Sequence, residues 1–129
     1  MSAESTMEER YQKGLNVIGT LWKGSKGLQA QPGDPENVKD LARMVTEHCF
    51  SDSWSRPGLP LKTKSLLTIA ILTTLGNPDE LKAHIRAALN IGITKEEIIE
   101  LLIHTLAYTG APRTSTAFRV AKEVFAGVK

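Results

Sequence analysis

Between Leu61 and Leu75 the chain reads LKTKSLLTIAILTTL. Leu66, Leu67, Ile69, Ala70, Ile71, Leu72 and Leu75 cover most of the circumference of a helix drawn through it. A helix that is apolar nearly all round has to be buried in a core or in a subunit interface. What the rest of the chain must supply is therefore other helices, or a second copy, to cover it.

The punctuation on either side is helical throughout, and no segment shows the sustained two-residue alternation of a half-buried strand. A first helix is expected from about Thr6 to Trp22, with Leu15, Ile18, Leu21 and Trp22 on its apolar face and Gly14 and Gly19 weakening it. After the loop KGSKGLQAQPGDP, Asp34 and Pro35 read as the start of a second helix reaching about Cys49, because aspartate caps free N–H groups and proline needs no donor in a first turn. SDSWSRPGLPLKTKS, rich in Ser, Pro and Gly, reads as irregular before the apolar helix begins. Gly76 ends that helix, Asn77 and Pro78 open the next, and Gly92 closes it. Thr94 with Glu97 forms a capping box for a helix running to about Tyr108, and a last helix lies between Pro112 and Val124. The expectation is an all-α, single-domain bundle of about six helices over residues 1–129.

At 129 residues such a chain can bury roughly two-thirds of its unfolded surface and needs no metal or disulfide staple. A formal charge of +2, with basic residues dispersed among acids, argues against nucleic acid and membrane as partners. One cysteine, Cys49, excludes an internal disulfide and fits a reducing cytoplasm. No apolar run is long enough to span a bilayer, and MSAESTMEERYQKG lacks the layout of a secretory signal.

The informative polar residues sit beside packing faces. Glu80 and His84, one turn apart, flank the stripe of Leu81, Ile85, Ala88 and Leu89, where partial desolvation and a neighbouring carboxylate would pull the imidazole in opposite directions. Either they form an acid/base pair, or Glu80 completes a helix cap and His84 is a surface or interface histidine. Glu100, His104 and Tyr108 repeat the four-residue step beside Ile98, Leu101, Leu102 and Thr105, so His84, His104 and Tyr108 are candidates to line one pocket; the alternative is an ordinary polar edge. His48 and Cys49 are adjacent, diverge by about 100° on a helix, and do not suit a nucleophile and its base. The Glu80/His84 spacing also suits two metal ligands, but HExxH is missing and no third ligand is evident, so no metal is expected. There is no GxSxG elbow, phosphate loop or dinucleotide fingerprint.

Four segments in order, ERYQKGL, VTEHCFSDSWSRPGLPLKTKSLLTIAIL, ELKAHIRAALNIGITKEEI and LLIHTLAYTGAPRTSTAF, resemble the carboxymuconolactone decarboxylase family, specifically its γ-carboxymuconolactone decarboxylase branch. The resemblance implies an alkylhydroperoxidase D-like helical fold, homo-oligomers built on dimers and commonly hexamers, and no cofactor. The other branch of the family carries a Cys-x-x-Cys pair with a histidine four residues on; aligned on His84, those cysteines fall at Asn77 and Glu80, so thiol peroxidase chemistry lacks its reacting atoms. Two departures stand out. Phe50, Ser51, Asp52 and Ser53 replace the usual Trp, Gly, Glu and Ile before Trp54, and Lys64 replaces the arginine of a usual Thr-Arg-Ser.

The activity so implied is removal of the ring carboxylate of γ-carboxymuconolactone, with the lactone as electron sink, followed by protonation to β-ketoadipate enol-lactone. On the resemblance, Arg56 and Lys64 would hold carboxylates and Trp54 would form an apolar wall. His84 would deliver the proton, tuned by Glu80, and His104 and Tyr108 would stabilise the oxyanion. The alternatives are similar chemistry on another small lactone, enol or keto acid, motivated by Lys64 and FSDSW, and a non-catalytic helical interaction module.

Overall fold

A computed structural model describes residues 6–127, whose regular elements are all helices, with no strand among the described residues. The elements are α1 (Met7–Leu21), α2 (Val38–Met44), a π-helical segment Val45–Trp54 that continues it, α3 (Leu61–Leu75), α4 (Pro78–Asn90), α5 (Lys95–Thr109) and α6 (Ala111–Gly127). They fall into two compact units, one up to Leu59 and one from Pro60 onward. Among the described residues no helix is long and apolar enough to cross a membrane.

In the first unit α1 packs on the π-helical segment. Thr6 and Glu9 cap α1 reciprocally, with the Glu9 N–H donating to Thr6 Oγ1 at 3.0 Å and the Thr6 N–H to Glu9 Oε2 at 3.3 Å. α1 and the π-helical segment come close at Gly14, where a Cβ would lie 2.4 Å from the Thr46 carbonyl oxygen. The glycine that costs helix propensity is thus what lets the two backbones meet. Trp22, Phe50 and Trp54 form an aromatic run, with ring centroids 5.9 Å apart edge-on for the first pair and 6.0 Å apart stacked for the second.

Two expected boundaries in this unit are wrong. Asp34 does not cap a helix forward. Its carboxylate turns back to accept from the Gln31 N–H at 2.6 Å, closing a turn, and the helix begins only at Val38. At the other end, helical structure runs past Cys49 to Trp54 as a π-helix, so the first four residues of SDSWSRPGLPLKTKS are helical and only the stretch from Ser55 to Pro60 is irregular.

The second unit follows the expected punctuation closely. Gly76 ends α3 in the left-handed region at φ 70°, Asn77 Oδ1 accepts from the Glu80 N–H at 3.3 Å, and Thr94 and Glu97 form the capping box of α5. Its core is built from Ile69 of α3, Leu81 and Ile85 of α4, Ile98 and Leu102 of α5 and Ala121 of α6. The apolar circumference of α3 is only partly used: Ile69 is buried, whereas Leu67, Ile71 and Leu75 are exposed.

Candidate active site

His84 lies in the buried stripe of α4, beside Leu81, Ile85 and Ala88, and is 7% exposed. The sequence places it at the margin of that stripe, and the fold covers the margin. Burial disfavours the imidazolium, so the pKa is lowered from 6.5 to about 4 and the ring is neutral at pH 7. Desolvation is the whole cause. Glu80, exposed one turn earlier, does not contribute, and what it offers the helix is its backbone N–H on Asn77. The expected tuning of His84 by a neighbouring carboxylate is therefore replaced by tuning through burial. A neutral buried imidazole can accept a proton or donate one N–H, but it holds no standing positive charge.

The other candidates of the second unit are placed as follows. Lys64, in the first turn of α3, is half-buried. His104 and Tyr108 meet each other one turn apart on α5, with ring centroids 5.4 Å apart, and both are exposed, Tyr108 at 80%. The four-residue step thus brings these two together on an outward face, while His84 is on a covered one. No group of three or more His, Cys, Asp or Glu side chains able to hold a metal ion occurs among the described residues.

Trp54 and Arg56 belong to the first unit. Trp54, half-buried, stacks on Phe50, and Arg56 is exposed just beyond the end of the π-helical segment. Around them is a charge network that the sequence does not single out. Arg10 of α1 donates through Nε to Asp52 Oδ1 at 2.8 Å and through Nη2 to Asp52 Oδ2 at 2.5 Å. Glu47, 5% exposed, lies 3.3 Å from Arg43 Nε and 3.9 Å from Arg10 Nη1. Arg43 also covers the Tyr11 ring at 4.5 Å and donates to the Met7 carbonyl at 3.2 Å. Of these links only Arg43 to Glu47, four residues apart on one helix, was available from spacing. Arg10 to Asp52 spans 42 residues.

The sequence model of the carboxymuconolactone decarboxylase family matches residues 39–123. The chain is 40% identical over 119 residues to the 4-carboxymuconolactone decarboxylase of Acinetobacter baylyi, covering 92% of this chain and 88% of that protein. It is 36% identical over 127 residues to the nitrosuccinic acid decarboxylase npaB of Metarhizium robertsii, covering 95% of this chain and 89% of that one. An uncharacterized 15.0 kDa protein of Paracoccus denitrificans is 37% identical over 91 residues, 69% of this chain and 68% of its own length.

Proposed function

The chain belongs to the carboxymuconolactone decarboxylase family, and from that premise we propose that it decarboxylates γ-carboxymuconolactone to β-ketoadipate enol-lactone, without a cofactor, in the catabolism of aromatic acids. The likeness to the Acinetobacter enzyme over almost the whole of both chains carries the proposal. The chemistry asks little of the protein. As the C–C bond breaks, its electron pair passes into the unsaturated lactone, carbon dioxide leaves, and the dienolate so formed takes one proton. The substrate is its own electron sink, so the protein has to hold the acid, stabilise charge on the lactone oxygen and supply that proton.

His84 is the proton donor in this scheme, and its burial defines how it works. Buried as it is, the imidazole is neutral at pH 7. A substrate carboxylate brought beside it offsets the desolvation penalty, raises its pKa and lets it bind the proton it then gives to carbon. Lys64, half-buried on α3 of the same unit, holds a carboxylate. Calorimetry of a non-reacting dicarboxylate in buffers of different ionisation enthalpy should show proton uptake on binding, absent in His84→Gln. Binding with no proton uptake in the unmodified protein would remove His84 from the role.

The assembly and setting complete the proposal. Leu67, Ile71 and Leu75 of α3 and Ile103 and Leu106 of α5 are all about half exposed or more, a large apolar surface for an isolated chain. The protein works as a dimer-based homo-oligomer in the cytoplasm, a compartment that suits the exposed, unpaired thiol of Cys49. A sedimentation mass equal to one chain would refute the assembly.

A second reading keeps the reaction and changes the acid. The likeness to a nitrosuccinic acid decarboxylase, together with Lys64 and FSDSW, favours a small acid whose carbanion is delocalised onto another acceptor group. Purified protein supplied in parallel with γ-carboxymuconolactone and nitrosuccinate, with carbon dioxide measured for each, decides between the two. Release from neither would refute both.

A further inference from the structure

Decarboxylation sets the protein three tasks, and the fold leaves one of them unassigned. Lys64 holds the acid and His84 supplies the proton, but His104 and Tyr108, which the family resemblance would put at the oxyanion, stand on an exposed face of α5. A donor on such a face meets bulk water, where its hydrogen bond is worth little to a developing charge. The donor has to come from a covered side chain.

Among the described residues the second unit buries three hydroxyls, those of Ser65, Thr73 and Thr105. Thr73 donates to the Ile69 carbonyl at 2.8 Å and Thr105 to the Leu102 carbonyl at 2.9 Å, so each spends its hydrogen on its own helix. Ser65 is 0% exposed, and its Oγ makes no hydrogen bond among the described residues. The usual outlet is at hand, since Thr68 and Thr74 of the same helix also donate four residues back, at 2.8 and 2.9 Å. A buried hydroxyl left unmatched costs more than the bond it forgoes would return, so its position asks for a partner that arrives from outside the fold.

We infer that Ser65 is the oxyanion donor of the proposed decarboxylation, its hydroxyl donating to the acceptor oxygen on which the electron pair of the broken C–C bond collects. The inference rests on the decarboxylase reading. Ser65, Ile69 and Thr73, four residues apart, form the buried stripe of α3. Three residues before Ser65, Lys62 reaches across to Gly92 just beyond α4, its Nζ 3.4 Å from where a Cβ would stand. α3 and α4 pack together, are joined by Gly76 and Asn77 alone and run antiparallel, which sets Ser65 roughly 6 Å along the axis from His84. In an enolate the charged oxygen and the carbon that takes the proton are separated by a single carbon, so one donor from each helix serves them together. The hydroxyl stays neutral and transfers no proton. Its hydrogen bond strengthens as charge arrives, in a setting without water to compete. The movement that admits an acid to His84, itself 7% exposed, has to uncover Ser65 as well.

The test compares Ser65→Ala and Ser65→Cys with the unmodified full chain for carbon dioxide release from γ-carboxymuconolactone and from nitrosuccinate, whose lactone and nitro oxygens would take the same hydrogen bond. On the acid that turns over, each variant should lose about a hundredfold in kcat with KM little changed, because the bond forms with the charge and not with the ground-state acid. The denaturant midpoint of Ser65→Ala should stay level or rise, since the change removes an unmatched hydroxyl and improves helix propensity. Unchanged kcat in both variants would overturn the inference and leave the decarboxylase reading standing. So would a loss confined to Ser65→Ala, which would trace the effect to side-chain volume, or a lowered midpoint in that variant, which would give the hydroxyl to the fold. Release from neither acid by the unmodified protein would refute the decarboxylase reading and this inference with it.

Discussion

His84→Gln gives the most direct test of how burial sets the chemistry of this chain, because it predicts a change in acid stability that no contact list would. The imidazole has a pKa of about 4 when folded and 6.5 when free of the fold. Above pH 6.5 it is neutral in both states, and stability does not depend on it. As pH falls from 6.5 toward 4 the unfolded chain binds a proton that the folded chain does not, so stability drops; below 4 both are protonated and the loss is complete. At ~1.4 kcal/mol per pH unit the difference amounts to roughly 3 kcal/mol. Little discount for solvent screening applies, since the side chain is 7% exposed. Denaturant unfolding at pH 7 and pH 4.5, at one fixed protein concentration, measures most of that loss. Carboxylates with lowered pKa, such as Asp52 and Glu97, also cost stability in acid, but they titrate alike in both proteins and cancel in the comparison. The variant should lose about 2–3 kcal/mol less than the unmodified protein over this interval. Parallel losses would refute the account of His84 as a group held neutral by desolvation.

Three further outcomes follow from local geometry. Gly14→Ala places a Cβ 2.4 Å from the Thr46 carbonyl oxygen, a backbone atom that cannot swing aside, so α1 must shift and denaturant unfolding should show a loss of about 2 kcal/mol despite alanine's better helix propensity. Gly76→Ala meets Arg113 Nη1 at 1.7 Å, but that is the far end of a flexible side chain; the left-handed backbone at φ 70° sets the cost at about 1–2 kcal/mol, and adding Arg113→Ala should not restore the melting temperature. Thr94→Ala removes the acceptor of the Glu97 N–H, bonded at 3.0 Å, and should lower stability by about 1 kcal/mol, while the Glu97 carboxyl, held down chiefly by the backbone N–H of residue 94 at 2.9 Å, should stay below its ordinary pKa in an NMR titration.

The features legible in the sequence are those decided by backbone chemistry over a few residues. Leu61–Leu75 and the Thr94/Glu97 box stand where they were expected because Pro60, Gly76 and a threonine followed by glutamate restrict dihedral angles or satisfy N–H groups whatever lies around them. Asp34 shows the limit of that reasoning. Its carboxylate can cap forward or close a turn backward, both are good hydrogen bonds, and the path of the loop chooses Gln31. The π-helical register of Val45–Trp54 is equally silent, since shifting each hydrogen bond by one residue changes neither composition nor apolar spacing. For the candidate site, helical spacing fixes direction and not cover: it aligns His84 with Glu80, yet it is the packing around α4 that makes the imidazole neutral. The two departures from the family pattern then separate by what they touch. Asp52 stands where a glutamate is usual and still supplies a carboxylate, and that carboxylate holds Arg10, a link across 42 residues that joins α1 to the π-helical segment. Lys64 gives up the planar fork of the usual arginine and keeps only its charge. The departure that preserves its chemistry is thus the one serving the fold, and the departure that alters it falls at a residue assigned to the acid. Lys64→Arg should accordingly leave stability nearly unchanged and shift KM between competing acids; an unchanged preference would show that carboxylate geometry at this position does not select the substrate.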